Sequence, residues 1–169
     1  MKSRSSRRIV TLGVLTALAL ILSFLESLLP PLTPIPGIKL GLPNLVIVFL
    51  LYRMGWKEAG AVSLVRVLLV SLLFGSAVSL AYAAAGAVLS LVVMALLKRG
   101  GLFSPAGVSV AGGVIHNLAQ TGVACLLLRS PALLTYLPVL VIGGCVAGVL
   151  VGLLSVLLVA KVPAGLTDR

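Results

Sequence analysis

Long apolar runs separated by short polar breaks fill almost the whole of this 169-residue chain. Hydrophobic residues make up 60% of it and charged residues only 9%, whereas a soluble domain carries about 25% charged residues to cover its surface. Such a chain suits a bilayer, which a helix crosses with roughly 20 apolar residues. The sequence therefore predicts an all-α membrane protein, folded as a single bundle of six transmembrane helices with no soluble catalytic domain.

The bounds of the helices follow from the apolar runs and from the glycines and prolines between them. The predicted helices span residues 9–29, 43–53, 57–75, 77–97, 106–128 and 132–160. Pro138 falls inside the last of them, where it is expected either to kink the helix or to mark its true start.

The cations lie mostly in alternate breaks between the runs. Ten of the thirteen Lys and Arg residues fall on one predicted side of the membrane, two on the other, and Arg66 inside a run. This distribution is the positive-inside pattern, so both termini are expected in the cytoplasm of a multi-pass cell-membrane protein. The net charge of +10 then reflects topology, and no nucleic-acid partner is expected.

The second predicted helix is too short to cross a bilayer alone. Its eleven residues rise about 16 Å, roughly half the hydrocarbon thickness, yet Arg53 is expected at the cytoplasmic surface. The proline-rich segment 30–43 should therefore enter the membrane from outside. Irregular backbone survives at that depth only when it packs in protein or lines a cavity. We interpret the segment as an external lid; the alternative is an ordinary external hairpin.

Two ionisable residues inside apolar runs need an explanation. Arg66 lies in the middle of the third predicted helix, where a charge costs roughly 2.5–3.5 kcal/mol on insertion scales, so it should face the bundle interior. Glu26 lies near the outer end of the first helix. Either the two form a buried pair that joins helices, or Arg66 receives an anionic or polar substrate through its planar fork. In the second case Glu26 would orient the substrate or bind a cationic part of it.

The fifth predicted helix brings an imidazole and two amides together. His116 and Gln120 are four residues apart and Asn117 and Gln120 three apart, so all three share a face. Interhelical hydrogen bonds worth about 0.6 kcal/mol each are one explanation; the number of groups and the glycines beside them favour a ligand-facing patch. One histidine and few acids cannot supply a zinc site, so no metal, cofactor or catalytic residue is predicted.

Three stretches of the sequence resemble a known family. Residues 36–44, Pro-Gly-Ile-Lys-Leu-Gly-Leu-Pro-Asn, look like the first-loop signature GxKLGLxN of the substrate-binding S components of energy-coupling factor (ECF) vitamin transporters. Residues 85–98 and 109–120, the latter ending in His-Asn-Leu-Ala-Gln, extend the resemblance over essentially the whole chain. Within that superfamily the chain is most similar to the "Gx transporter" group, also catalogued as heptaprenyl diphosphate synthase component I.

The resemblance implies a six-helix bundle with a substrate pocket near the outer face, capped by the first loop. It assigns substrate contacts to Lys39 and Asn44 at the end of the lid, and to His116, Asn117 and Gln120. Glu26 and Arg66 join this set by the burial argument alone.

A pair of small residues in the first helix is a candidate contact face. Gly13 and Ala17 are four residues apart, a spacing that lets another helix approach closely, and packing within the bundle is the default expectation. The resembled family uses an Ala-xxx-Ala motif at this place to dock on the transmembrane coupling subunit of an ATPase-driven module. Here glycine replaces the first alanine.

Three functions remain open at the level of sequence. The first is a membrane-embedded substrate-binding subunit for uptake of a small, anionic or polar molecule, driven by partners because no G-x-x-x-x-G-K-[ST] loop is present. The second is a non-catalytic accessory subunit of a prenyl (heptaprenyl) diphosphate synthase, since prenyl transfer needs Mg²⁺ on paired aspartates and Asp168 is the only aspartate. The third is an anchor for a membrane redox complex, which Cys125 and Cys145 alone do not equip. None makes this chain an enzyme.

Overall fold

The computed structural model describes residues 2–28 and 40–162, with side chains from residue 6 onward. This part of the chain is helical and contains no β-strand. The α-helices are α1 (Lys2–Leu28), α2 (Asn44–Arg53), α3 (Trp56–Phe74), α4 (Ala77–Gly100), α5 (Pro105–Leu128) and α6 (Leu137–Lys161), and a 3-10 helix (Pro131–Tyr136) precedes α6.

Within the described residues, four segments are long and apolar enough to cross a membrane: Ser6–Leu28, Ala77–Gly100, Pro105–Leu128 and Pro131–Lys161. The prediction of six transmembrane helices is therefore corrected, for this part of the chain, to six α-helices with four candidate spans. Helix α2 has ten residues, about 15 Å of helix, against a hydrocarbon core of about 30 Å. Helix α3 is longer but carries Lys57, Glu58 and Arg66. The fold is that of a multi-pass, all-α membrane protein.

Helix ends follow local signals in the sequence. The Ser76 hydroxyl accepts a hydrogen bond from the backbone N–H of Ser79 at 3.1 Å, and Ser76 N–H donates to the Ser79 hydroxyl at 2.7 Å, so α4 begins with a reciprocal cap. Ser104 caps α5 by accepting from Gly107 N–H at 3.2 Å. Gly101, at φ 69°, ends α4 in the left-handed region, where glycine has no steric penalty.

Two predicted bounds differ from the structure. Helix α1 begins at Lys2 rather than residue 9. An apolar run shows which part of a helix can lie in lipid, but the helix itself can begin earlier, in polar residues. The predicted helix 132–160 is two helices: Pro131–Tyr136 is a 3-10 helix, and α6 begins at Leu137. Pro138 lies in the first turn of α6, where its missing N–H costs nothing. It marks the start of α6 and does not kink it.

Helix α2 lies at the centre of the bundle. Residues 46–51 are all buried, and α2 packs against α6, α3, α1 and α5. A helix that is apolar on every side is stable only when other elements surround it. The short second helix therefore serves as the core around which the longer helices pack.

Glycines let α5 and α6 approach closely. A Cβ built on Gly148 would lie 2.5 Å from Val110 Cα, and one on Gly113 would lie 2.5 Å from the Gly144 carbonyl oxygen. A Cβ on Gly152 would likewise lie 2.6 Å from Ala106 Cα. Backbone contacts this close require glycine, as in other small-residue helix interfaces.

Cations gather at one end of the bundle, which we call the basic end and define by Arg8, Arg53, Lys98 and Lys161. Arg8 of α1 forms an ion pair with Glu58 of α3. The Arg53 guanidinium donates to the carbonyls of Val159 and Val162, and Lys98 Nζ donates to the Leu51 carbonyl at 2.6 Å. These contacts bring the starts of α1 and α3 and the ends of α2, α4 and α6 together.

Candidate functional site

A cavity of about 300 Å³ lies within the bundle, toward the end opposite the basic end. Six of the seven substrate-contact residues predicted from the sequence line it: Glu26, Asn44, Arg66, His116, Asn117 and Gln120. The seventh, Lys39, lies outside the described residues, as does most of the predicted lid segment 30–43. Gly41 and Pro43, the described part of that segment nearest α2, also line the cavity.

Helix periodicity explains why these side chains meet. On α1 the cavity is lined by Ser23, Glu26 and Ser27; on α3 by Arg66, Val70 and Phe74; and on α5 by Gly113, His116, Asn117 and Gln120. Each set follows steps of three or four residues, which place side chains on one face of a helix. Three helices thus turn one face toward the same space.

Arg66 is the cation of the cavity. Its Nε is buried and has no hydrogen-bond partner among the described residues. Glu26 is the acid whose charge acts on it, but within that part of the chain no direct ion pair joins the two side chains. The direct pair considered from the sequence is therefore not formed, and a donor group of Arg66 is left without an acceptor.

Glu26 instead contacts the backbone before α2. Its Oε1 accepts a hydrogen bond from Gly41 N–H at 2.5 Å. Gly41 has φ 72°, a conformation that favours glycine, and its carbonyl accepts from Asn44 N–H at 2.9 Å. Glu26 thus joins the end of α1 to the turn that enters α2, on the cavity wall.

The amide-rich wall on α5 combines structural bonds with cavity-facing groups. Asn117 Nδ2 donates to the Leu140 carbonyl of α6 at 2.7 Å, so this residue also joins two helices. On the α4 side, Gly86 makes room for the other two side chains, because a Cβ there would lie 2.8 Å from Gln120 Cγ and 3.1 Å from the His116 ring. His116 and Gln120 therefore lie against α4 at a place where a larger residue would force a side chain to shift.

A smaller apolar cavity of about 260 Å³ adjoins this wall. Tyr82, Asn117 and Gln120 line both spaces, and Leu133 and Tyr136 of the 3-10 helix close the smaller one. The two spaces therefore meet at the same three side chains.

Several lining residues were missed by the sequence analysis. They include Ser23, Ser71, Ser79 and Tyr82. Projecting the helix face from Glu26 would have found Ser23, three residues earlier. Serines carry a weak signal because they commonly bond to their own helix, as Ser23 does to the Ala19 carbonyl at 2.8 Å. Tyr82, a polar aromatic in an otherwise aliphatic run, was the clearest signal available.

The site has the groups of a binding site for a polar molecule. Arg66 supplies a cation, and the imidazole, amides and hydroxyls supply hydrogen-bond donors and acceptors. No group of three or more His, Cys, Asp or Glu side chains that could hold a metal occurs in residues 2–28 and 40–162.

Gly13 and Ala17 do not pack within the described bundle. Both are exposed, and nothing lies within 4 Å of a Cβ built on Gly13 in the described structure. The expectation of internal packing is therefore wrong for this pair, because α1 presents the opposite face to its neighbours, including the fully buried Ala19.

The fold and the cavity together define a class: a multi-pass helical membrane protein with a cavity in its bundle that several polar side chains line. The family model of heptaprenyl diphosphate synthase component I matches residues 15–158. The chain belongs to that family, which confirms the resemblance to the group catalogued under this description. No similar curated protein and no similar solved structure was found.

Proposed function

We propose that this protein is a membrane-embedded substrate-binding subunit for the uptake of a small anionic or polar molecule. The observation that carries the proposal is Arg66, a buried cation whose Nε has no acceptor among the described residues and which lines a cavity. A buried charge is costly unless paired, and a guanidinium binds carboxylate or phosphate oxygens through parallel N–H donors. A ligand with such oxygens would satisfy Arg66.

The size and chemistry of the cavity limit the kinds of ligand that it can bind. Its volume of about 300 Å³ is at the low end of small-molecule sites, which span about 300–1,000 Å³. His116, Asn117 and Gln120 supply an imidazole and two amides on the α5 wall of the cavity, and the adjoining apolar cavity has room for a short apolar substituent. The ligand we propose is a small acid that also carries neutral hydrogen-bonding groups.

Energy for uptake would come from partner proteins. The chain has no G-x-x-x-x-G-K-[ST] loop with which to hold nucleotide phosphates. Exposed Gly13 and Ala17 on α1 support docking on a transmembrane coupling subunit, itself linked to ATPases, because small residues let a partner helix approach closely. Native mass spectrometry of protein gently purified from its own host would reveal such subunits; repeated isolation of the chain alone would count against this part of the proposal.

Replacement of Arg66 tests the ligand site. Arg66→Ala should reduce the amount of co-purifying small molecule, measured by native mass spectrometry, by about tenfold or more, since a hydrogen bond to a charged group is worth about 1.5–3 kcal/mol. Arg66→Lys keeps the positive charge but lacks the planar guanidinium with its parallel N–H donors, and should retain an intermediate amount of the small molecule. Lys161→Ala, an exposed cation at the basic end, is the matched control and should match the wild-type protein.

Defined compounds supply the second arm of this test. A panel of small carboxylates and phosphates would be screened by thermal shift on the wild-type protein and on Arg66→Ala, with size-exclusion chromatography to verify folding. A folded Arg66→Ala protein that retains ligand as the wild-type protein does would refute the site.

The family description favours a second candidate, an accessory subunit of a heptaprenyl diphosphate synthase. In this alternative the membrane protein has no catalytic role and assists a soluble synthase component. Prenyl chain formation by that component would be measured with and without this protein in vesicles. Equal rates and equal product lengths would exclude the accessory role.

A further inference from the structure

A second recess lies on the outer surface of the bundle, between α3 and α4. It is a groove of about 600 Å³, and it shares no lining residue with the cavity around Arg66. Small residues line both walls, Gly60 and Ala61 from α3 and Ala87 and Ala95 from α4. Leucines and valines of the two helices complete the lining, so the groove is largely apolar and open to the surroundings of the bundle.

One end of this groove is basic and aromatic. Trp56 and Lys57 begin α3 and Arg99 lies in the last turn of α4, and all three line the groove and are exposed. Lys57 Nζ lies 5.8 Å from the centroid of the Trp56 ring. Neither Lys57 nor Arg99 forms an ion pair within the part of the chain that the structure describes; Glu58 is buried and paired with Arg8. The mouth of the groove therefore carries two uncompensated positive charges.

The length of the groove fits a hydrocarbon chain. Between Arg99 and Ala87, α4 rises about 18 Å, a little more than half of the roughly 30 Å hydrocarbon core. Tryptophan prefers the boundary between hydrocarbon and head groups, which sets Trp56 at head-group level. A lipid tail lying along the groove would thus keep its head group beside Lys57 and Arg99.

We propose that the groove between α3 and α4 is a binding site for an anionic phospholipid of the surrounding bilayer. One acyl chain lies along the apolar walls, and the phosphate lies between Lys57 and Arg99. Basic recesses between membrane helices bind anionic head groups in this way. A zwitterionic lipid fits less well, because its own ammonium group is repelled by the same two cations. This inference does not depend on the proposed uptake function.

Trp56 provides a direct reporter, since it is the only tryptophan in the chain. The full-length protein would be reconstituted in phosphatidylcholine vesicles and titrated with phosphatidylglycerol brominated on an acyl chain, which quenches tryptophan fluorescence on contact. Brominated phosphatidylcholine is the reference lipid. Phosphatidylglycerol should quench at an about 25-fold lower mole fraction, because each of the two cations contributes about fivefold to the preference.

Substitution of the two cations tests the head-group site. Lys57→Gln combined with Arg99→Gln should bring the two brominated lipids to equal quenching. Lys161→Gln removes an exposed cation of the basic end that lies outside the groove, and should keep the preference. Equal quenching by the two lipids in the wild-type protein would overturn the proposal, and so would a preference that survives the double substitution.

Two further measurements test the chain-binding part of the groove. Ala61→Phe places a phenyl ring in the groove and should reduce the preference for phosphatidylglycerol; an unchanged preference means that the head group binds without a tail in the groove, and contradicts the site. Geranylgeranyl phosphate would be added as a competitor. If it displaces brominated phosphatidylglycerol at a lower mole fraction than unlabelled phosphatidylglycerol does, the occupant is an isoprenoid phosphate and the assignment to a bilayer phospholipid is wrong.

Discussion

Arg66 and Glu26 carry opposite charges and line the same cavity, yet their side chains do not form an ion pair. Glu26 offers its Oε1 to the Gly41 N–H at 2.5 Å, while Arg66 keeps a buried, unpartnered Nε within the described structure. The charge of the carboxylate acts on the arginine without a direct bond between them. A direct pair would have satisfied both groups and left nothing for a ligand to do.

The contact between Glu26 and Gly41 can be separated from the charge of Glu26. Glu26→Gln keeps a side-chain oxygen that accepts from Gly41 N–H, whereas Glu26→Ala removes it. Hydrogen exchange at the Gly41 amide should therefore stay near wild-type rates in Glu26→Gln and rise about fivefold or more in Glu26→Ala, because a net hydrogen bond is worth about 1 kcal/mol. Equal exchange in the two variants would show that this bond does not hold the turn before α2.

At the scale of elements, glycines decide how α5 and α6 pack. Gly113, Gly144, Gly148 and Gly152 allow backbone contacts between the two helices, and these contacts set the position of Asn117 against Leu140. Since α5 carries the amide-rich wall, the close packing of α6 fixes one side of the cavity. The same residues that stabilise the bundle therefore position the candidate site.

A glycine substitution measures this packing. Gly148→Ala would place its Cβ 2.5 Å from Val110 Cα, and should lower the free energy of unfolding by about 1–3 kcal/mol, the usual cost of overpacking. Gly122→Ala is the matched control on α5, because in the described structure its Cβ would meet no atom within 4 Å beyond the neighbouring backbone of its own helix. Unfolding would be followed by circular dichroism in detergent with increasing dodecyl sulfate. Equal stability of the two variants would contradict the close approach of α5 and α6.

At the scale of the whole molecule, the clustered cations of the basic end and the cavity lie toward opposite ends of the bundle. Arg8, Arg53, Lys98 and Lys161 gather at the basic end, whereas Glu26 and the start of α4 lie toward the other. The positive-inside rule predicts that the basic end faces the cytoplasm. The cavity would then open toward the outer face, the orientation that capture of an external solute requires.

Cysteine labelling in intact cells tests this orientation. Single cysteines would be introduced into a background in which Cys125 and Cys145 are alanine. Thr135→Cys, on the 3-10 helix, should react with a membrane-impermeant maleimide in intact cells. Gly100→Cys, at the exposed end of α4, should react only after permeabilisation. The reverse pattern would invert the topology and place the cavity toward the cytoplasm.

The sequence alone was enough to identify a helical membrane protein, its family and most of the candidate site. Hydropathy marks the part of a chain that lipid solvates, and a charge in the middle of an apolar run must face protein or ligand. These are local properties of a segment, so Arg66, Glu26 and the His116, Asn117 and Gln120 patch could be selected before any contact was known.

Tertiary structure decided the rest, because it depends on which faces of distant segments meet. Local hydropathy suggested six spans, whereas four segments of the described structure are long and apolar enough to cross a membrane; the ten-residue α2 lies among four other helices. The spacing of Gly13 and Ala17 is compatible with contact to any helix. The packing of α1 against its neighbours leaves this pair exposed. Charge alone suggests Arg66 as the partner of Glu26, but in the folded bundle the Glu26 carboxylate accepts a hydrogen bond from the Gly41 amide. The cavity that these residues share is a product of packing, which no single segment of the chain encodes.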